Sequence, residues 1–242
     1  MCVFLTLRLN KAQIKKQYDT RDLDDLLFSP TYVMSAFSFN PWPVITSQDT
    51  RSITMLNWGL VPHWIKDEQA ALKIRSSTVN ARIETVKEKP SFRASVKSRR
   101  CLVLADGFFE FREVNKKKYP YFIQLKEGKP FTIAGIYDNW TNRVTGAITS
   151  SFSILTTDAN PLMEKIHNRK KRMPVILPGG LENSWVANEL EPEALKKPYP
   201  ESEMEAWTIS RLLTSRQSNP NVPEVIDPFV YPELQMLDSF QL

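Results

Sequence analysis

The chain has 242 residues and a mass of 28.0 kDa, enough for one full-sized domain or two small ones. Its 42% hydrophobic and 24% charged content is that of a soluble globular protein, and Lys and Arg outnumber Asp and Glu by 32 to 27. The two cysteines, two histidines and seven glycines never form CxxC, HExxH, GxGxxG, GxxxxGK[ST] or GxSxG. Zinc-cage, metalloprotease, dinucleotide, P-loop and α/β-hydrolase chemistry are therefore excluded.

The opening stretch MCVFLTLRLNKAQIKK has no basic segment ahead of an apolar core and no small-residue cleavage site, so it does not read as a signal peptide. Residues 11–27 read as one or two short helices with Ile14, Leu23, Leu26 and Leu27 as apolar contacts. Leu26–Gln48 is the longest uncharged run, but Pro30, Pro41 and Pro43 exclude a spanning helix. Strands are predicted at Tyr32–Phe39, Ile53–Leu60, Cys101–Leu104, Tyr121–Leu125, Phe131–Ile136, Ser151–Leu155 and Val175–Leu177. Asn160-Pro161 reads as an N-cap with proline at the first helical position, opening a helix to Ile166, and Gly179-Gly180 precedes another at Leu181–Leu190. From Ser215 the chain is rich in Pro and Asn and is expected to wrap the surface. No repeat or linker is evident. These elements predict a single α+β domain around a largely antiparallel, barrel-like β core flanked by short helices. With Cys2 and Cys101 far apart and read as free thiols, the expectation is a cytoplasmic protein with no membrane association.

Charge is distributed unevenly. Lys73–Lys118 carries 13 Lys and Arg against five Asp and Glu, an excess of eight that exceeds the net +5 of the whole chain. Arg169-Lys170-Lys171-Arg172 forms a second cluster, whereas Glu182–Glu205 holds seven Glu against two Lys. Two basic runs flanking candidate chemistry point to nucleic acid as the partner.

Four places carry chemistry-bearing residues. If Met1 is removed, Cys2 presents a thiol and a free α-amine, and a 1,2-aminothiol closes a ring on an aldehyde. Glu110 follows an Asp106-Gly107 turn. It alternates onto the face of Phe108 with Phe109 and Phe111 opposite, either exposed on an edge strand or held in a partly desolvated pocket. His167 falls between a helix end and the strand Met173–Leu177, a position open to a catalyst or to a helix cap; His63 reads equally as structural. Asn80 and Arg82, two apart in an extended segment, offer an amide and a guanidinium on one side, suited to a phosphate or sugar oxygen or to a structural knot.

Taken together, these residues resemble the SRAP (SOS-response-associated peptidase) family, which shields abasic sites in single-stranded DNA. The matching pieces run in order over residues 1 to about 225. They are Met1-Cys2; Trp58-Gly59-Leu60-Val61-Pro62 with Trp64; Asn80-Ala81-Arg82 with Glu84-Thr85; Arg100-Cys101 with Ala105-Asp106-Gly107-Phe108 and Glu110; and Ile166-His167 with Arg172-Met173-Pro174. Three departures stand out. Val3-Phe4 replaces the usual Gly-Arg, Ile65 replaces a second aromatic, and the usual His-x-Arg-Met-Pro is lengthened to His167-Asn168-Arg169-Lys170-Lys171-Arg172-Met173-Pro174.

The resemblance implies one domain over 1–225 with 226–242 as a tail packed on it, a monomer, and no metal or nucleotide cofactor. It implies lyase-type crosslinking activity with autoproteolytic peptidase activity. In this chemistry the Cys2 amine attacks the C1′ aldehyde of a ring-opened abasic sugar, and the thiol closes a thiazolidine. Asn80 positions the amine and sugar, Glu110 shuttles protons, and His167 acts on the sugar ring oxygen. Arg82, Arg75, Arg99, Arg100 and Arg172 would supply cations, and Trp64 and Trp58 aromatic faces, to the DNA strand. Two other readings stay open: a non-covalent single-stranded DNA binder of the same fold, and a cysteine-nucleophile peptidase using Cys2, His167 and Glu110.

Overall fold

A computed structural model of the chain describes residues 2–20, 28–215 and 217–234. The helix expected over 11–27 is seen as α1 (Lys11–Tyr18), capped by Asn10, whose side chain accepts from the Gln13 amide. The contacts assigned to Leu23, Leu26 and Leu27 lie outside the described residues.

The strands, in chain order, are β1 (Phe4–Leu7), β2 (Thr31–Ser35), β3 (Pro41–Thr46), β4 (Asp49–Trp58), β5 (Asn80–Arg82), β6 (Arg100–Ala105), β7 (Gly107–Val114), β8 (Lys117–Leu125), β9 (Phe131–Thr141), β10 (Ile148–Asp158), β11 (Arg172–Pro174) and β12 (Met204–Thr208). Further short helices are α2 (Glu68–Arg75), α3 (Ser95–Ser98), α4 (Pro161–Ile166) and α5 (Glu182–Val186). The expected 32–39 strand ends at Ser35, because residues 36–38 turn as a 3₁₀ segment and Phe39 adopts a left-handed φ of 54°. The helix expected over Leu181–Leu190 shortens to α5, with Asn188 at φ 61°.

Five strands close into a barrel in the order β4-β3-β6-β9-β10, and β10 returns to β4. The joints are antiparallel except β10–β4, which is parallel through Ser151↔Asn57 and Phe152↔Trp58. Beyond the barrel, the second half of β10 carries β5 in parallel (Ile154↔Asn80) and β11 antiparallel (Asp158↔Arg172). A second, wholly antiparallel sheet runs β12-β8-β7-β1-β2. The protein is thus a single α+β domain with a barrel-like core, as the patterning predicted.

The two sheets are joined at Asp106. The expected turn there is not a hairpin: β6 belongs to the barrel and β7 to the other sheet. Asp106 accepts from Thr6 Oγ1 (2.5 Å), the Arg8 amide (2.8 Å) and Arg8 Nε (3.0 Å), tying the crossover to β1. Gly107 is needed there for space, because a Cβ would run into the Phe122 ring and Thr6. Inside the barrel, a Cβ on Gly135 would lie 2.8 Å from both Cys101 Sγ and Val103 Cγ2. Three fully buried tryptophans, Trp42, Trp58 and Trp185, pin the core by donating their indole N–H groups to the carbonyls of Leu104, Val79, and both Cys101 and Gly135. Among the described residues, no helix is long and apolar enough to cross a membrane.

Candidate active site

The second sheet supplies two of the four expected site residues. Cys2 leads into β1, and the β1–β7 register (Leu5↔Phe108, Thr6↔Gly107), carried two residues back, sets Val3 opposite Glu110. Phe108 joins the main core while Phe109 and Phe111 pack on the opposite side, so alternation turns Glu110 inward, and it is only 4% exposed. Of the two environments open to this carboxylate, the structure selects the desolvated one. Phe4 lies edge-on to Phe111 at 6.4 Å, while Val3 borders the site.

The barrel supplies the other two. β5 hydrogen-bonds to β10, and from its first residue the Asn80 Nδ2 donates to the Cys2 carbonyl at 2.9 Å. Asn80 is buried, and among the described residues its Oδ1 has no hydrogen-bond partner, leaving an acceptor inside the site. His167 closes α4, its amide donating to Met163 O at 2.7 Å. Its ring Nδ1 lies 2.8 Å from the Arg172 carbonyl, an obligate acceptor, so Nδ1 carries the hydrogen and Nε2 the lone pair in the neutral ring. Glu110 Oε1 lies 3.5 Å from the same nitrogen. The Asn80–Cys2 hydrogen bond and the His167–Glu110 approach both cross the seam between barrel and sheet.

The electrostatics favour uncharged partners. Burial pushes the Cys2 thiol well above its ordinary range and the Glu110 charge pushes it the same way, so the group is S–H at neutral pH. Burial holds the His167 imidazole below its usual value, against the opposing pull of Glu110 and the Arg172 carbonyl. A pocket of about 480 Å³ opens here, with Val3, Glu110, Phe111 and His167 among its walls. Among the described residues, no group of three or more His, Cys, Asp or Glu side chains could hold a metal ion.

The extra length after His167 is absorbed by a tight turn. Lys171 adopts a φ of 48° and its amide donates back to His167 O at 2.8 Å, while Asn168 brackets Glu113, accepting from its amide (3.0 Å) and donating to its carbonyl (2.8 Å). Arg172, which presents the carbonyl to His167, is anchored by its own side chain. It makes a bidentate pair with Glu84 (2.7 and 2.9 Å) and bonds Asp158 Oδ1 (2.7 Å) and Thr156 O (2.5 Å).

The residues expected to grip DNA divide into two sets. Trp58 has no exposed surface. Arg100 is buried over the Trp185 ring at 4.2 Å and donates to the Val96 and Leu190 carbonyls, and Arg172 is buried as above. These three hold the fold together, and the expectation that they contact a strand is corrected. Trp64 is 45% exposed beside His63, Pro90 and Arg93; Arg75 lies over the Phe39 ring at 3.8 Å; Arg82 is exposed, with Glu84 at 3.6 Å; Arg99 is partly exposed on Asp138 at 3.1 Å. Asp138 also takes His63 Nδ1 at 2.9 Å, which gives that histidine a structural partner. The sequence reading missed this hub, and it missed Asn168, whose only signal was its place in the lengthened loop.

A buried thiol, carboxylate, imidazole and carboxamide gathered at the seam of a barrel and a second sheet define the class. The family model for SOS response associated peptidase (SRAP) matches residues 1–216, and the chain belongs to this family. It is 36% identical over 236 residues to the abasic site processing protein YoqW of Bacillus subtilis, covering 94% of this chain and 99% of that one. The abasic site processing protein HMCES of Xenopus tropicalis is 29% identical over 233 residues, covering 85% and 68%. The crystal structure of a protein from Bacteroides thetaiotaomicron matches with a TM-score of 0.88 and 34% identity over 95% of this chain and all of that one.

Proposed function

We propose that this protein processes abasic sites in single-stranded DNA by forming a thiazolidine between Cys2 and the open-chain sugar. The observation that carries the reading is the convergence of Asn80, Glu110 and His167 on Cys2 beside a pocket. Once Met1 is removed, the Cys2 α-amine adds to the C1′ aldehyde and one water leaves as the Schiff base forms. The S–H then adds across the C=N bond: sulfur bonds to C1′ and its proton ends on nitrogen, so this second step loses no atoms. Because the thiol is held protonated by its surroundings, its proton has to be passed on as sulfur attacks, and Glu110 moves protons among thiol, amine, carbinolamine and leaving water. Neutral His167, with its lone pair on Nε2, takes the proton of the anomeric hydroxyl and returns it to the ring oxygen as the C1′–O bond breaks and the sugar ring opens. Asn80 fixes the Cys2 carbonyl, and hence the direction of the amine. The exposed Arg82, Arg75, Arg99 and Trp64 are the DNA-contacting set. The domain is taken to run to about residue 225, and the chain acts as a monomer.

Intact-protein mass spectrometry with an oligonucleotide carrying one abasic site tests this. Protein lacking Met1 is expected to gain the oligonucleotide mass less one water, and Cys2→Ser to bind without a stable adduct. Binding by protein that has lost Met1, with no adduct formed, would replace this reading with the non-covalent one. Peptide hydrolysis lost in Cys2→Ser would favour the peptidase.

A further inference from the structure

The same pocket is also lined by Lys118, Arg169 and Lys170, with Glu113 among them. These side chains reach the pocket by different routes. Lys118 is the cross-strand neighbour of Glu113 in the β7–β8 hairpin. Arg169 and Lys170 come from the turn after His167, which Asn168 staples to the Glu113 backbone. Glu113 holds Arg169 at 3.2 Å, so its charge is already engaged, while Arg169 stays largely exposed. Lys118 and Lys170 have no carboxylate within ion-pair distance among the described residues. Two cations with no ion-pair partner among the described residues therefore line a pocket that Glu110 and His167 also line.

The geometry points to Lys118 and Lys170 as the subsite for the phosphodiester adjoining the abasic sugar, with Arg169 pinned by Glu113 as the third cation of its rim. This inference rests on the abasic-site reading above. A sugar placed against Glu110 and His167 carries its phosphate groups only one bond beyond C3′ and C5′, so one of them must lie along a wall of a pocket of this size. Lys118, Arg169 and Lys170 are the lining residues where a monoanion finds positive charge. The turn that presents Lys170 also presents His167, so the length between His167 and Arg172 sets the position of the phosphate relative to the catalytic ring.

The test is a double cycle in the Cys2→Ser background, where binding is read without covalent capture. The protein partners are the parent and the Lys118→Gln/Lys170→Gln pair. The DNA partners are an abasic single strand with native linkages and one with neutral methylphosphonates flanking the abasic site. Dissociation constants are measured across a salt series. With native DNA the paired substitution is expected to lower the slope of log K against log salt by about 0.7 per lost contact. With the neutral linkage it should change the affinity less than twofold. Equal loss on both strands would place these lysines against more distant phosphates and overturn the assignment, as would an unchanged salt slope. Adduct formation by the protein with intact Cys2, measured separately, reports on the abasic-site reading alone, so either idea can fail without the other.

Discussion

His167 is the residue whose protonation the fold controls most directly. Its folded value lies below the ordinary one near 6.5, so between those two values the unfolded chain binds a proton that the native chain does not. Stability therefore rises with pH through this window and is lost as pH falls from about 6.5 toward the folded value. If the neutral ring is the working form, His167 adds to the profile of adduct formation an acid limb below pH 6.5, separate from the one set by protonation of the Cys2 α-amine. A profile that is the same with and without His167 would remove His167 from that role. His167→Gln should slow the adduct by roughly a hundredfold and abolish the acid limb. Asn80→Ala should cost about 1 kcal/mol by removing the hydrogen bond to the Cys2 carbonyl, and should slow adduct formation more than it weakens DNA binding. Arg172→Ala leaves the half-buried Glu84 without its bidentate partner and opens a gap where the buried guanidinium sat. About 3 kcal/mol of stability should go, visible as a lower melting temperature. Glu84 is held below the usual carboxylate range because Arg172 outweighs the upward push of burial, so this part of the stability is present at neutral pH and lost as pH falls through the folded value.

The strands and helices show what local patterning reveals and where it stops. Asn160-Pro161 announced α4 because capping chemistry is local, and the alternation around Glu110 told correctly which phenylalanines share its side. The Asp106-Gly107 step misled because a turn signal says that the chain bends, not which sheet it enters next. Gly107 answers to the Phe122 ring, a residue invisible from its own neighbourhood. Arg99 and Arg100 were read alike as strand-gripping cations. Yet adjacent residues entering a strand face opposite ways, and Arg99 meets Asp138 near the surface while Arg100 turns inward over Trp185. β1, β3 and β12 escaped notice, β3 because Pro41 and Pro43 break the usual strand signature. Gly135→Ala tests the tightness of β9 against β6. The added methyl should cost about 1–3 kcal/mol, read from chemical denaturation with an unchanged dependence on denaturant.

For the molecule as a whole, the sequence foresaw the α+β class and a barrel-like core, but not that a parallel joint between β4 and β10 closes it, since pairing between strands about a hundred residues apart leaves no local mark. The positive excess over Lys73–Lys118 likewise divides in the folded protein. Part is consumed by burial at Arg100, and part stays outside at Arg75, Arg82 and Arg99. DNA affinity should fall steeply with salt, and Arg82→Gln should weaken binding to abasic and intact strands alike. A loss confined to the abasic strand would instead put Arg82 at the reacting sugar. Trp64→Ala should remove most of any DNA-induced change in tryptophan fluorescence, because Trp42, Trp58, Trp140 and Trp185 are buried and Trp207 is half-buried with its indole N–H on the Ile226 carbonyl.

The dependence of the site on β10 also has a consequence in time. Asn80 reaches its place only when β5 lies along β10, and His167 is oriented by a carbonyl on β11, the strand on the other flank of β10. During synthesis Cys2 leaves the ribosome near the very beginning, yet the last piece that makes it selective, Arg172, follows some 170 residues later. If Cys2 reacts as proposed and Met1 is removed early, the nascent chain would trail an aminothiol before the carboxylate, imidazole and carboxamide are all in place to direct it, open to any aldehyde in the cell. Removing Met1 late, or keeping the nascent segment shielded, would protect the warhead until its aim exists.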